Sequence, residues 1–496
     1  ERLYEKQHAE HPEWCIYGSE TASTVQSRGV YHFPLSNRLL TYQDQQCSSL
    51  GNCSTNWGAV NSSWNIFRDR DTPFSAGQFI WTGWDYIGEP TPYFSKNSFF
   101  GQIDTAGFRK DTFYVYKTAW TSYRKAPFVH ILPYWDFNEG QKIDVRVNSN
   151  APVVELFQDG ISLGKKKIDF VNGTSFACDW QLEYKRGTLT ACAYDEDGNE
   201  IARDEQKSFG ESRKIILEVE KESEDGLYFI DISAADENNI PVANARNRMF
   251  IEVTGNAAVE GIDNGDSTDW EQYKSKDGIH CTKRLFNNAL LLIVKATEKR
   301  QSFCVTVNSP GLNGAELVFE NGTFVCNTDG VRNILDEELL GSLVHEVPVR
   351  KIELVCSNKT QLSTQNECVE VTAVIHPSNA SYRKLEWKPM LLEGVKCDCA
   401  QIEVIKPLDE TGCETVLVKG HSDGSFRLTC TSANAQKYPE IVSELEFETS
   451  GFGKAAKNPY ELIEACKCSS SLLPVKLSFD GGVFTEETRS WFSFDN

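Results

Sequence analysis

The sequence predicts a multidomain chain that opens as α/β and continues as a series of all-β sandwiches. Three observations predict it. Two short apolar strands near the start each lead into a loop and then a helix. Beyond Ala126 the apolar residues switch to strict alternation, with strands recurring at about 8–12-residue spacing. A length of 496 residues, 40% of them hydrophobic, suits roughly three to five separate cores.

Residues 1–13 are polar and helix-like. The apolar run Trp14-Cys15-Ile16-Tyr17 reads as a strand that stops at Gly18-Ser19-Glu20. Residues 38–64 carry Gly, Ser, Asn and Cys without periodicity, which predicts a long loop of the kind that often bears function. Gln78-Phe79-Ile80-Trp81 reads as a second, buried strand. A helix follows from about Asp111, with Phe113, Tyr116, Trp120 and Tyr123 spaced along one face. From Ala126 on, Lys142–Val147 and Val153–Phe157 alternate as strands do, and Asp159-Gly160 and Asp197-Gly198 supply turns. The predicted units are therefore 1–125 (α/β), 126–212 and 213–320 (two β-sandwiches), an acidic connector over 321–346, an immunoglobulin-like sandwich over 347–450, and the start of a further unit over 451–496. The chain begins at Glu1, inside what reads as a helix, so both ends have the look of cuts.

Composition narrows the function classes. A formal net charge of −21, with 50 Lys and Arg that form no basic run, lacks the footprint needed for nucleic acid or an anionic membrane surface. No apolar stretch is long enough to span a bilayer. The aromatic content of 11%, including 11 Trp, suits stacking on sugar faces, although most aromatics fill cores. Sixteen cysteines show no disulfide framework. Cys397/Cys399 and Cys466/Cys468 lack companion histidines for a zinc site. Free thiols in a reducing compartment are the default for so large a chain, which favours the cytoplasm slightly over secretion, and the six Asn-x-Ser/Thr sequons are close to chance.

Two residues stand where catalytic groups stand on barrel strands, at a strand's C-terminal end. Glu20 ends the first strand, inside Tyr17-Gly18-Ser19-Glu20-Thr21-Ala22-Ser23, and Trp81 ends the second. Alone, such a Glu is more often a surface or capping residue and such a Trp a core residue. Their context is more specific. Gly18–Ser23 with Ser27-Arg28-Gly29-Val30-Tyr31 resembles the nucleophile loop of glycoside hydrolase family 2 β-galactosidases. Phe79-Ile80-Trp81-Thr82-Gly83-Trp84-Asp85-Tyr86-Ile87-Gly88-Glu89-Pro90-Thr91-Pro92-Tyr93 and Phe100-Gly101-Gln102-Ile103-Asp104-Thr105-Ala106-Gly107-Phe108 resemble the next two motifs of that family, in the same order. His130–Trp135, Val154–Gly160 and Gly261–Asp266 continue the resemblance more loosely, to about residue 320.

The resemblance implies that residues 1–125 are the C-terminal segment of a (β/α)8 barrel. It implies Glu20 as the nucleophile that forms a covalent glycosyl-enzyme and Trp81 as the floor of the sugar subsite. Asp85 and Glu89 are candidates for binding sugar hydroxyls or for holding the loop, with the holding role favoured. Arg28 is either a carboxylate clamp or a loop anchor. The expected substrate is a β-galactoside oligosaccharide or glycoconjugate, with no cofactor and no metal. The Gly261–Asp266 turn is read as a turn and not a calcium site.

One departure from the family stands out. Its acid/base is a Glu preceded by Asn on an earlier barrel strand. Here Asn138-Glu139, Asn199-Glu200 and Asn366-Glu367 all fall in the β-sandwich region. The acid is therefore expected outside this chain, on a complementing N-terminal half, and the chain alone is expected to be weak or inactive. β-Glucuronidase is the first alternative, with Lys96 and Lys110 as weak candidates for the substrate carboxylate. A non-catalytic tandem-sandwich protein for carbohydrate binding or adhesion is the second.

Overall fold

A computed structural model describes residues 3–36, 46–53, 60–91, 95–223, 225–298, 301–356, 360–391, 397–433, 440–453, 478–479 and 482–483. Residues 37–45 and 54–59 of the expected loop, Pro92 and Tyr93 of the second motif, Cys466 and Cys468, and most of 451–496 lie outside the described residues.

The first segment holds α1 (Tyr4–Glu10), β1 (Ile16–Ala22), α2 (Ser62–Arg70), β2 (Ser75–Trp81) and α3 (Asp111–Trp120). β1 and β2 pair in parallel, with Thr21 opposite Ile80 and Ala22 opposite Trp81. This two-stranded sheet gains no further strand among the described residues. Four expectations change here. β1 does not stop at Glu20 but carries it inside the strand, two residues before the end. β2 is not buried: Phe79 is 67% exposed, because nothing described covers that face. α3 buries Thr112, Val115 and Tyr116, while Trp120 on the predicted face is 57% exposed. α2 also begins inside the segment read as loop. Asn61 caps it, accepting from the Trp64 amide at 2.8 Å, as a helix start requires.

Three pairs of sheets follow. The first comprises β3 (Val129–Leu132), β4 (Lys142–Ser149), β5 (Val153–Gln158), β6 (Ile161–Lys167), β7 (Ala177–Glu183), β8 (Thr188–Tyr194) and β9 (Glu200–Lys207). They form sheets ordered β3-β4-β7 and β6-β5-β8-β9 over a core that includes Trp135, Val145, Leu156 and Ala191. The β5–β6 hairpin turns on Asp159 and Gly160, at φ 49° and 80°, the left-handed pair that such a turn needs.

The second comprises β10 (Lys214–Glu222), β11 (Leu227–Ala235), β12 (Arg248–Gly255), β13 (Ala257–Asp263), β14 (His280–Arg284), β15 (Leu290–Ala296), β16 (Phe303–Asn308), β17 (Ala315–Glu320) and β18 (Thr323–Asn327). Their sheets run β10-β11-β15-β13 and β14-β12-β16-β17-β18. Alternate residues of β11 and β15 point inward, the period-2 signature of a half-buried strand. β18 corrects the connector reading: residues 323–327 pair with β17 and extend this sheet. A short helix, α4 (Glu337–Leu340), lies in what remains of the connector.

The third comprises β19 (Lys351–Cys356), β20 (Gln361–Ser363), β21 (Cys368–His376), β22 (Leu385–Leu391), β23 (Ala400–Lys406), β24 (Cys413–Gly420), β25 (Gly424–Ala433) and β26 (Glu440–Ser450), in sheets β19-β21-β24-β23 and β20-β26-β25-β22. Its core joins Val371, Val416, Phe426 and Phe447. The fourteen cysteines among the described residues carry free thiols. No described helix is long and apolar enough to cross a membrane.

Polar contacts fasten these units together. Asp111 at the start of α3 receives Tyr31 Oη at 3.0 Å and meets His130 Nε2 of β3 at 2.9 Å. Asn138 accepts from the Leu354 amide at 2.9 Å and donates to Ser443 Oγ at 2.9 Å, so it pins the third sandwich to the first.

Candidate active site

The three motifs, separated in sequence, fold into one packed unit. The Gln26 amide donates to Phe99 O, the Thr82 amide to Phe100 O and the Asp85 amide to Ile103 O. Gln26 Nε2 donates to Gly101 O at 3.1 Å. Gly101 has to be glycine, because a Cβ there would stand 2.1 Å from the Asp85 nitrogen.

Glu20 projects from β1 as an exposed side chain and makes no ion pair or side-chain hydrogen bond among the described residues. The backbone just after it is clamped. Ala22 and Ser23 have φ of 71° and 51°, a left-handed conformation that costs a non-glycine residue on the order of 1–3 kcal/mol and persists only where neighbours enforce it. Those neighbours are identifiable. The Ser23 amide donates to Trp81 O at 3.1 Å, and the Ala22 amide to Asn65 Oδ1 at 3.2 Å. Asn65, fully buried on α2, in turn donates to Gln78 Oε1 of β2 at 2.7 Å. Thr21 Oγ1 reaches Phe79 O at 3.1 Å.

Trp81, opposite Ala22, is half-buried against Val25, Cys47, Cys53, Phe99 and Phe100. Its indole stands edge-on to Tyr86, with centroids 5.8 Å apart, and donates to Tyr86 Oη at 3.2 Å. Tyr86 donates onward to Glu89 Oε2 at 2.9 Å. Burial, followed by the Glu89 carboxylate, raises the Tyr86 phenol above its usual value, so it stays a donor. Beneath, Cys53 is drawn down to about 6, chiefly by the Cys47 thiol.

Asp85 has no face left for a sugar. It is 5% exposed. One oxygen meets Lys110 Nζ at 2.6 Å and the other accepts the Gly101 amide at 2.8 Å. Burial pushes its carboxyl up to about 6, with Lys110 opposing. Lys110 also donates to Gln26 O at 2.9 Å and Phe99 O at 3.3 Å, which joins all three motifs at one buried ammonium and leaves it out of reach of a substrate carboxylate. The Nζ of Lys96 lies over the Tyr273 ring, 4.6 Å from its centroid.

Arg28 is an anchor. Its Nε meets Asp104 Oδ2 at 2.6 Å, and its other nitrogens donate to Asn264 O at 2.7 Å and Asn287 O at 3.1 Å. It therefore ties the Glu20 loop to the second sandwich. The acidic turn there is held by its own bonds, such as Asn264 Nδ2 to Asp269 Oδ2 at 2.9 Å. Among the described residues no group of three or more His, Cys, Asp or Glu converges on a metal position. Of the three Asn–Glu pairs, Asn138 is the domain pin described above, Glu200 pairs with Arg203 at 2.9 Å, and Asn366 exchanges turn hydrogen bonds with Ser363. Sequence reading missed Asn65, Gln78, Tyr86 and Gln26, all of which act through contacts distant in sequence.

An exposed glutamate and a half-buried tryptophan thus lie on paired parallel strands, followed by three β-sandwiches, an arrangement compatible with a glycosidase. Comparison with known proteins agrees. Residues 218–318 match the glycoside hydrolase family 2 C-terminal domain 5, and residues 140–202 match a domain of unknown function (DUF4982). The chain is 32% identical over 317 residues to the β-galactosidase BoGH2A of Bacteroides ovatus, covering 60% of this chain and 36% of that protein. A Formosa agariphila protein with a provisional β-glucuronidase name is 33% identical over 221 residues, covering 42% of this chain and 20% of its own length. Among solved structures, a β-glycosidase from Bacteroides vulgatus superposes with a TM-score of 0.57 at 26% identity, over 64% of this chain and 43% of that one. The chain is thus similar to glycoside hydrolase family 2 β-galactosidases over these residues. It spans about a third of the length of that β-galactosidase relative.

Proposed function

We propose that the chain carries the nucleophile half of a retaining exo-β-galactosidase site, on the C-terminal segment of a (β/α)8 barrel followed by immunoglobulin-like sandwiches. The observation that carries this reading is that Glu20 and Trp81 lie on two paired parallel strands, Glu20 two residues before Ala22, the residue opposite Trp81. In the proposed reaction a Glu20 carboxylate oxygen attacks the anomeric carbon. The bond to the leaving oxygen breaks as an acid protonates that oxygen, and water later hydrolyses the glycosyl ester. Trp81, steadied by Tyr86, floors the sugar and excludes water.

The acid is proposed to come from outside these residues, since all three Asn–Glu pairs have other placements. General acid–base help contributes typically about 10²–10⁴-fold, so the chain alone should leave alkyl glycosides nearly untouched. Exposed apolar rings on the β1–β2 face support further barrel strands lying there: Tyr17 and Phe79 meet at 6.2 Å and are 56% and 67% exposed.

The test is trapping with a 2-fluoro-galactoside after complementation with a family N-terminal half. Label on Glu20 is expected. Label on another residue, or an inert complemented protein, would overturn the assignment, and full activity of the isolated chain would overturn the missing acid. The Formosa relative favours β-glucuronidase as the second reading. Faster turnover of an aryl glucuronide than of an aryl galactoside would establish it instead.

A further inference from the structure

We infer that the cleft where the three β-sandwiches meet binds a small hydroxylated carboxylate of about hexuronate size. The cleft measures about 390 Å³, within the roughly 300–1,000 Å³ typical of small-molecule sites. Its walls come from the end of the first sandwich (Glu211–Arg213), from the second (Asn247 and Pro310–Leu312) and from the third (Val347, Pro348 and Arg350, and Val374–Asn379). It exists only because the three are docked.

Two groups in it await a partner. Ser212 is 9% exposed, yet its Oγ has no hydrogen-bond partner in the structure, whereas buried hydroxyls are normally paired. Arg213 beside it is exposed and makes no ion pair or side-chain hydrogen bond among the described residues. Behind them lies an ion-pair network. Arg350 binds Glu211 at 2.8 Å and Asp136 at 2.6 Å, Lys351 binds Asp136 at 2.9 Å, and His376 bridges Glu211 at 3.4 Å and Glu353 at 3.0 Å.

The network is balanced. Three carboxylates (Asp136, Glu211 and Glu353) face three cations (Arg350, Lys351 and protonated His376). Arg213 is the cation left over, and a guanidinium is the group best shaped to pair with a carboxylate. The Ser212 hydroxyl then meets a ligand hydroxyl, and Pro310, Leu312 and Val347 face its C–H edges. A neutral sugar would leave Arg213 unmatched, and a bare carboxylate would leave Ser212 unmatched.

The test is calorimetric titration of the whole chain with D-galacturonate, with galactose and acetate as comparators. Saturable binding of galacturonate is expected, with both comparators at least about ten-fold weaker. Arg213→Ala should weaken binding about ten-fold or more and Ser212→Ala about three-fold, with melting curves confirming that both variants fold. The Glu20→Gln variant should bind as the parent does. The proposal is overturned by no saturable binding at millimolar concentration, by equal binding of galactose, by unchanged affinity in Arg213→Ala, or by binding that Glu20→Gln abolishes.

Discussion

Replacing Lys110 by Met removes the ammonium at which the three motifs meet. Both side chains of the pair are 1% exposed, so solvent cannot take over the charge that remains. Stranding one member of a buried ion pair costs about 3–5 kcal/mol. Two carbonyls, Gln26 O and Phe99 O, lose their donor as well. Asp85→Asn combined with Lys110→Met leaves neither member of this pair charged and keeps an oxygen for the Gly101 amide. The double variant should therefore recover about 2 kcal/mol or more of the single variant's loss.

The readout is hydrogen exchange at the amides of Asp85 and Gly101, because a multidomain chain has no single unfolding free energy. The penalty should also depend on pH. The carboxyl of Asp85 in the fold, at about 6, titrates above its unfolded value of about 3.9. It binds its proton more readily when folded, so it favours the fold below about 3.9 and loses that contribution as pH rises through about 6. Without Lys110 its value rises further, so Lys110→Met should be best tolerated in acid. A loss under about 1 kcal/mol at pH 8, or a double variant as damaged as the single one, would refute the reasoning.

Asn65→Ala removes the acceptor of the Ala22 amide and should cost about 1–3 kcal/mol of local stability, read as faster exchange at Ala22 and Ser23; unchanged exchange there would show that Asn65 does not hold the turn. Tyr86→Phe should cost about 1 kcal/mol and shift Trp81 fluorescence by freeing its N–H, and an unaltered spectrum counts against that contact. His376 is raised above its ordinary 6.5 by Glu211 and Glu353, so its contribution is complete below 6.5 and fades as pH climbs through the raised value. Burial opposes ionisation of Glu211, but His376 and Arg350 outweigh it and lower the group from 4.5 to about 2, so its contribution is complete above 4.5 and is lost as pH falls toward 2. Docking of the third sandwich should thus be firmest between about 4.5 and 6.5. His376→Gln should flatten the alkaline decline in its melting temperature, and an unchanged decline would exclude the residue.

Much of this was legible in the chain itself. Period-2 alternation marked the strands at Lys142–Val147 and Val153–Phe157, since one buried face imposes that pattern whatever the neighbours. Asp159-Gly160 marked its hairpin because few residues accept two left-handed positions in a row. Glu20 and Trp81 were singled out through the motif around each. β18 escaped notice because its residues are mostly polar or exposed, and its place in the sheet comes from pairing with β17. The apolar run of β2 suggested a buried strand, but burial depends on what lies alongside, and nothing described covers Phe79.

What the sequence determined by itself is therefore local: strand periods, turn chemistry, and the residue types around Glu20. Tertiary structure alone decided which groups are spoken for. Asp85 and Lys110 are 25 residues apart in sequence, and only folding joins them and removes both from the surface. Arg28 reaches Asn264 and Asn287 across two domains, so its choice between carboxylate clamp and loop anchor was invisible in the chain. The physical reason is the same in each case. Periodicity and turns depend on neighbours a few residues away, whereas desolvation and ion pairing depend on whichever distant atoms the packed core brings within hydrogen-bond reach.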